Sequence, residues 1–343
     1  MATSKSQQLL KTIEDEREAH LIAYVTSDRP PPFQAKMALD VVRHFHEHLE
    51  HLACEGSVEK IDLFLFSLGG DTIVPWRLVN LIREYTCEFA VLVPYKAHSA
   101  ATLVALGADE IVIGPMGELS PIDPSVSTPF NPPHPDEPKE PKVEIGVEDV
   151  SGFINLAQER VGITDQDNLV RMLEKLSERI HPLAIGAVYR SHALIRLLAS
   201  KLLALHMKQP AEAQRIPKIV DDLAEKLYYH NYLISRTEAE ELGLKVMQPS
   251  AALEKLLWEL YLNYETEMDL GRPFDPLVHL GESEGVAEVE KPIALIESRG
   301  LRSHIRKRVR IQRVPAPPGQ PPGPQIAIQE QVVAWETAEI AEE

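Results

Sequence analysis

Apolar residues fall along this chain in two different rhythms. Residues 61–66 (IDLFLF), 89–93 (FAVLV) and 110–113 (EIVI) are nearly unbroken apolar runs, as expected of strands buried on both faces. Residues 20–32 (HLIAYVTSDRPPP) predict a further short strand that ends in a proline-rich turn. Between these runs the spacing changes to three and four. Met37, Val41, Val42, Phe45 and Leu49 predict a helix over 35–54, and 73–85 reads as a second amphipathic helix. Strand, helix, strand, helix, strand at short spacing predicts an α/β fold with a parallel sheet. Beyond 128–142 (TPFNPPHPDEPKEPK), a proline-rich charged loop and the clearest break in the chain, the pattern is helical over 147–162, 166–178 and 183–206. The helix TEAEELG follows, with Ser235 or Arg236 before Thr237 at its start and Gly243 at its end. The last stretch alternates apolar Ile305, Val309 and Ile311 with basic residues and predicts a β-hairpin-like appendage with one basic edge, read first as a solvated edge guarded by its charges and second as a patch for nucleic acid or an acidic peptide. The expected division is 1–127 (core with the candidate nucleophile), 128–146 (loop), 147–250 (helical part closing the core) and 251–343 (C-terminal extension).

Composition narrows the function. A chain of 343 residues can bury a full-sized core, and a formal charge of −17 argues against a nucleic-acid or anionic-membrane partner for the whole molecule. The two cysteines, Cys54 and Cys87, form no CxxC or metal knuckle and read as reduced, buried thiols of a cytoplasmic protein. No apolar run approaches the length of a membrane helix, and the N-terminus lacks a signal-peptide pattern. His44, His48 and His51 share a helix face at metal-compatible spacing. With no HExxH and no third-ligand motif, they read as a solvated face, and no metal or cofactor is expected.

The chemistry concentrates at 89–124. A strand, a short polar elbow and a small-residue helix opening at Ser99 are the ingredients of an exposed nucleophile. Upstream, Gly69 and Gly70 follow a buried strand in SLGGD, where they can form a plain turn or let the backbone approach a ligand closely. Lys96 and His98 lie too near Ser99 in sequence for easy in-line geometry and read as substrate-side or solvated. Asp123 could orient a histidine or form an Asx turn.

Two blocks, SLGGD and VPYKAHSAATLVALGADEIVIGPMGELSPIDP, together resemble a Clp-fold serine proteinase, the superfamily of Clp protease subunits, signal peptide peptidases and crotonases. The similarity is closest to the serine dehydrogenase proteinases, with Leu68 and Ser120 departing from the usual Pro and Gly. A weaker third block, LYYHNYLISRTEAEELGLKV, resembles the segment that closes the core, so the likeness spans about 21–246. The resemblance implies a Clp/crotonase-like spiral core of βα units and Ser99 as nucleophile. It also implies an oxyanion hole from the backbone N–H groups of Gly69 or Gly70 and of Ala100. A Clp-type histidine is missing from GELSPIDP. By position the resemblance therefore points to His181 as base, with Lys175, His192 and His230 in reserve.

The reading that follows is an ATP-independent serine peptidase, acting on peptides or unfolded segments and assembling into a homo-oligomer. The alternatives are a non-catalytic Clp-fold scaffold that has lost its base, and a crotonase-like acyl-CoA enzyme. The latter would want a carboxylate pair and a CoA groove that the sequence does not display.

Overall fold

The computed structural model describes residues 4–123, 125–133, 142–225, 227, 232–281, 285–314 and 325–340. The chain divides into two units, 1–118 with 245–343, and 119–244. The expected boundaries at 127 and 250 therefore lie at 118 and 245. The C-terminal stretch is not a separate extension, because it completes the first unit.

The first unit opens with α1 (Lys5–Arg17), capped by Ser4, whose Oγ accepts from the Gln7 amide. Then come β1 (His20–Thr26), α2 (Val41–Glu55), β2 (Lys60–Phe66), α3 (Val74–Tyr85), β3 (Glu88–Val93), β4 (Lys96–Ala97), α4 (Ala100–Leu106), β5 (Glu110–Ile113) and β6 (Glu118–Leu119). β1, β2, β3 and β5 pair side by side and parallel, and all but their first residues are buried. This is the continuous-run signature of a sheet covered on both faces. Helix α2 starts later than its apolar spacing predicts, because Met37 is taken out of the helix to bridge Gly70. Its N–H donates to Gly69 O (2.8 Å), and its C=O accepts from Asp71 N (2.9 Å).

The second unit contains β7 (Ser125–Val126), β8 (Ile145–Gly146), α5 (Val147–Asn155) running into a π-helical turn (Leu156–Arg160), α6 (Gln166–Ser177), α7 (Pro182–Ala204), α8 (Pro210–Ala213), α9 (Ile216–Glu225), β9 (Ile234–Ser235) and α10 (Arg236–Leu242). β7 and β8 pair across the proline-rich loop, most of which lies outside the described residues. Val126, Ile145, Val147, Val150, Ala184 and Val188 form this unit's core. Ser235 is the cap of α10, and Gly243 ends it at φ 99°.

The chain then returns to the first unit with β10 (Val246–Met247), α11 (Ala251–Met268), α12 (Pro276–Leu280), β11 (Val286–Ser298), β12 (Leu301–Val314), β13 (Gln325–Val332) and β14 (Glu336–Glu339). The nine-stranded sheet runs β10-β5-β3-β2-β1-β11-β12-β13, with β14 also on β12. Helices α1 and α11 cover one face through Leu10, Ile13, Leu257 and Tyr264 against Leu21, Phe64 and Leu295. On the other face Tyr24 meets Phe45 of α2 edge-on at 5.4 Å. Arg17 ties α1 to the strands by bonding Asp62 (2.6 Å) and Glu110 (2.8 Å). Pro292 lacks a ladder donor, and the register of β11 against β12 shifts there.

Three sequence expectations are corrected. The hairpin is not an appendage at its root, since β11 pairs directly with β1 (Ala23 with Glu297). His48 is wholly buried rather than solvated: its Nδ1 lies 2.7 Å from Ser298 Oγ and its Nε2 3.1 Å from Ser303 Oγ. Cys54 and Cys87 are exposed, because they lie at the far end of α2 and in the turn before β3.

Candidate active site

The site is built where β2 and β3 end. At the end of β2, Ser67 is a junction. Its N–H donates to Lys96 O (2.9 Å), its C=O accepts from His98 N (2.9 Å), and its Oγ accepts from Thr26 Oγ1 (2.8 Å) and Gly69 N (3.0 Å). The ends of β1, β2 and β4 are thereby fastened together in a buried polar knot, each hydrogen bond of which is worth about 1 kcal/mol net.

Ser99 then turns the chain into α4. It sits at φ 52° and ψ −114°, outside the ordinary regions for a side-chain-bearing residue. Such strain costs on the order of 1–3 kcal/mol and persists only where the surroundings over-determine it. Here they do so by contact. Gly69, at φ 92°, is pressed so closely on the elbow that a Cβ would stand 2.7 Å from His98 O, 2.9 Å from Ala100 N and 2.9 Å from the Ser99 Cβ. On the other side Gly70 abuts Met37, whose carbonyl O a Cβ would overlap. The glycines are therefore required by close approach of backbone, beyond the needs of a turn. The buried helix α4 (AATLVAL) is held by Thr102 Oγ1 on Ala97 O (2.8 Å).

The donors can be sorted. The Gly69 amide is committed to Ser67 Oγ. Among the described residues no acceptor faces the amides of Gly70 or Ala100, which come from separate loops on the two sides of the elbow. Beside them, His98 Nε2 lies 3.1 Å from Glu118 Oε1, and Lys96 Nζ 2.8 Å from Asp28 Oδ2. Burial pushes the Glu118 carboxyl above its usual range, and Lys96 only partly offsets this. Burial also pulls on the Lys96 ammonium, but Asp28 outweighs it and holds the pKa above the ordinary value. Lys96 is thus ion-paired with Asp28 and His98 in hydrogen-bond contact with Glu118, rather than solvated. Ser67, Met37 and Glu118 were missed in the sequence. A serine two residues before paired glycines is a usable signal for the first, and the others carry none.

The base candidates lie in the second unit, and the three that are described, His181, His192 and Lys175, each have a local partner. His181 caps α7, its Nδ1 accepting from the Leu183 amide (3.1 Å), and stacks on Phe130 at 4.7 Å. A backbone N–H can only donate, so that nitrogen keeps its lone pair and the neutral ring carries its proton on Nε2. His192 Nε2 lies 3.2 Å from Glu225, which also binds Arg196, and burial lowers the His192 pKa. Lys175 is exposed and paired with Glu178 (2.8 Å). His230 lies outside the described residues. Asp123 is buried.

Comparison with known proteins now has geometry to meet. Residues 4–134 match the model of the ClpP-like, SDH-type serine proteinases. The family resemblance read from SLGGD and the Ser99 block is borne out over that segment, which contains Ser67, Gly69, Gly70, Ser99 and Ala100. An uncharacterized protein of Methanocaldococcus jannaschii is 27% identical over 201 residues, covering 59% of this chain and 58% of that protein. A second from the same organism is 30% identical over 66 residues, 19% of this chain and 23% of its own length. The chain thus spans little more than half of the first relative and less than a quarter of the second. Among solved structures, ClpP1 from Listeria monocytogenes is 14% identical with a TM-score of 0.35, covering 72% of this chain and 98% of that one. A membrane-bound stomatin-specific protease in complex with a substrate peptide is 13% identical with a TM-score of 0.38, covering 62% and 72%. Among the described residues no helix is long and apolar enough to cross a membrane, and no group of three or more His, Cys, Asp or Glu could hold a metal.

Proposed function

We propose that this chain is a serine peptidase that cleaves peptide bonds through an acyl-enzyme at Ser99. The Ser99 Oγ attacks the scissile carbonyl carbon while a base takes the hydroxyl proton. The resulting oxyanion lies between the amides of Gly70 and Ala100, and loss of one such donor costs about 3 kcal/mol of barrier. The C–N bond breaks as the base returns the proton to the leaving amine. Water, deprotonated by the same base, then hydrolyses the Ser99 ester and regenerates the hydroxyl. No step uses a nucleotide or a cofactor. The observation that carries this reading is the strained Ser99 elbow wedged against Gly69.

Four base candidates remain in the proposal, and their local bonds order the tests. His181 holds the wrong tautomer for accepting a proton at Nε2, Lys175 is tied to Glu178, and His192 lies against Glu225. Among the three described candidates His181 is therefore tested last, and His230 is tested alongside them. We also propose that the active form is a homo-oligomer built on the second unit. Helix α6 has no buried residue, and α7 exposes Leu183, Tyr189, Leu194 and Leu197. Sedimentation of the chain against a Leu194→Glu, Leu197→Glu variant tests this, and a monomeric wild type would end it.

The test of the chemistry is labelling with a fluorophosphonate probe. Wild type is expected to label, Ser99→Ala to stay unlabelled, and the variant lacking the base to lose labelling by a hundredfold or more. A folded wild type that never labels would replace the peptidase with a non-catalytic scaffold.

A further inference from the structure

The sequence places a basic edge at the end of the chain, but the structure moves the charge one strand inward. β12 carries Arg306, Arg308 and Arg310 on one face, by the two-residue period of the strand, and it lies between β11 and β13. The outermost strand on this side is β13, QIAIQEQV. Among the described residues no strand pairs with its outer edge. Edge strands are usually protected by lysine, proline or a bulge. β13 has none of these, its one charged residue, Glu330, is paired with Lys307 (3.0 Å), and its register against β12 is unbroken for eight residues.

The two faces of this edge differ. On one, Gln329 and Gln331 stand beside Arg310 and Arg308. Arg306 and Arg308 share a single carboxylate, Glu290 (3.4 and 2.8 Å), and among the described residues Arg310 has no ion-pair partner. In register Glu288 stands opposite Arg310 and Glu290 opposite Arg308, so this face sets three arginines (Arg306, Arg308, Arg310) against two carboxylates and keeps a small excess of positive charge on a chain whose net charge is −17. On the other face Ile328 and Val332 are 43% and 56% exposed. A strand added to β13 would lie about 10 Å from β12, two strand spacings, within the combined reach of an arginine and a glutamate. The chain already seats an acidic segment on the same edge of β12: β14 (ETAE) pairs with residues 301–304 and sets Glu336 3.5 Å from His304.

We propose that β13 is a strand-addition site for an extended peptide that alternates acidic and aliphatic residues. Backbone hydrogen bonds to the open edge would supply affinity. The carboxylates would face Arg308 and Arg310, and the aliphatic side chains would lie beside Ile328 and Val332. The inference stands independently of the chemistry at Ser99.

The test uses the full chain carrying Ser99→Ala, so that no probe is consumed, and fluorescence anisotropy of a labelled octapeptide alternating Glu and Val. Binding is expected to weaken at least tenfold with Arg308→Glu, Arg310→Glu and with a Lys–Val octapeptide. It should weaken as much when alternate peptide amides are N-methylated, which blocks the ladder but keeps the charge. Should the double variant fail to fold, Arg310→Gln and Ile328→Asp replace it, each expected to weaken binding about threefold or more. Equal binding of the N-methylated peptide would reduce the site to a generic polyanion patch and overturn the proposal. Equal binding of the Lys–Val peptide would do so too. Self-association lost in Ile328→Asp but not displaced by the Glu–Val peptide would give the edge to a second copy of the chain instead.

Discussion

The main sheet has two halves made by different rules. In the parallel half, β1, β2, β3 and β5 are buried on both faces, and their sequences read as unbroken apolar runs. In the antiparallel half, β12 alternates, with Val309 and Ile311 inside and Arg308 and Arg310 outside, and β13 has no buried residue. The first half cannot show anything along its length, so its chemistry collects at the strand ends, at Ser67 to Gly70 and at Ser99. The second half displays chemistry along its whole outer face. Burial thus decides where each half can carry function: at a point in one, along a line in the other.

The largest effect that would separate the halves is a cavity. Phe64→Ala, in wholly buried β2, is expected to lose about 4 kcal/mol of stability. Ile328→Ala, on the exposed edge, should stay within about 0.5 kcal/mol. Urea midpoints measure both, and equal losses would dissolve the distinction. Next comes Gly69→Ala. Positive φ and a Cβ 2.7 Å from His98 O should together cost about 3 kcal/mol and abolish fluorophosphonate labelling. Unchanged labelling would mean that the elbow tolerates displacement.

His48 sits where the halves meet, on α2 between Ser298 of β11 and Ser303 of β12. Burial lowers its pKa to about 3, with His51 and His44 contributing. The native state therefore keeps the ring neutral, while the unfolded chain protonates it below about pH 6.5. Its contribution is complete above that value and is lost as pH falls toward 3, amounting to about 2 kcal/mol between pH 7.5 and 5. Urea midpoints at the two pH values should show this slope, and His48→Gln should flatten it. The smallest effect belongs to the arm. Glu290→Gln removes the carboxylate shared by two half-exposed arginines and should change stability by less than about 0.5 kcal/mol.

The parallel half was legible because a strand buried on both faces has only one way to read. Residues 61–66, 89–93 and 110–113 each proved to be a strand, and Ser99 did open a helix. The rest depended on partners distant in sequence. Met37 has good helical spacing but is worth more bridging Gly70, and nothing local announces that. His48 fits a solvated face until Ser298 and Ser303 arrive from the far end of the chain to bury it. The basic residues of β12 read as an edge because the sequence cannot say that β13 lies outside them. At the candidate site Ser99 follows from a strand–turn–helix pattern and the glycines from the turn after a buried strand. That the Gly69 amide is committed to Ser67 Oγ, which favours Gly70 as the proposed donor, depends on the folded turn and has no local signal.

Ala23 of β1 pairs with Glu297 of β11 across almost the whole chain. A ribosome delivers β1 long before β11, so throughout that interval one side of β1 has no neighbour to complete its ladder. Nascent chains stalled before residue 294 should therefore be far more dependent on chaperones than chains released after it. The late arrival of four residues thus closes a sheet begun at residue 20.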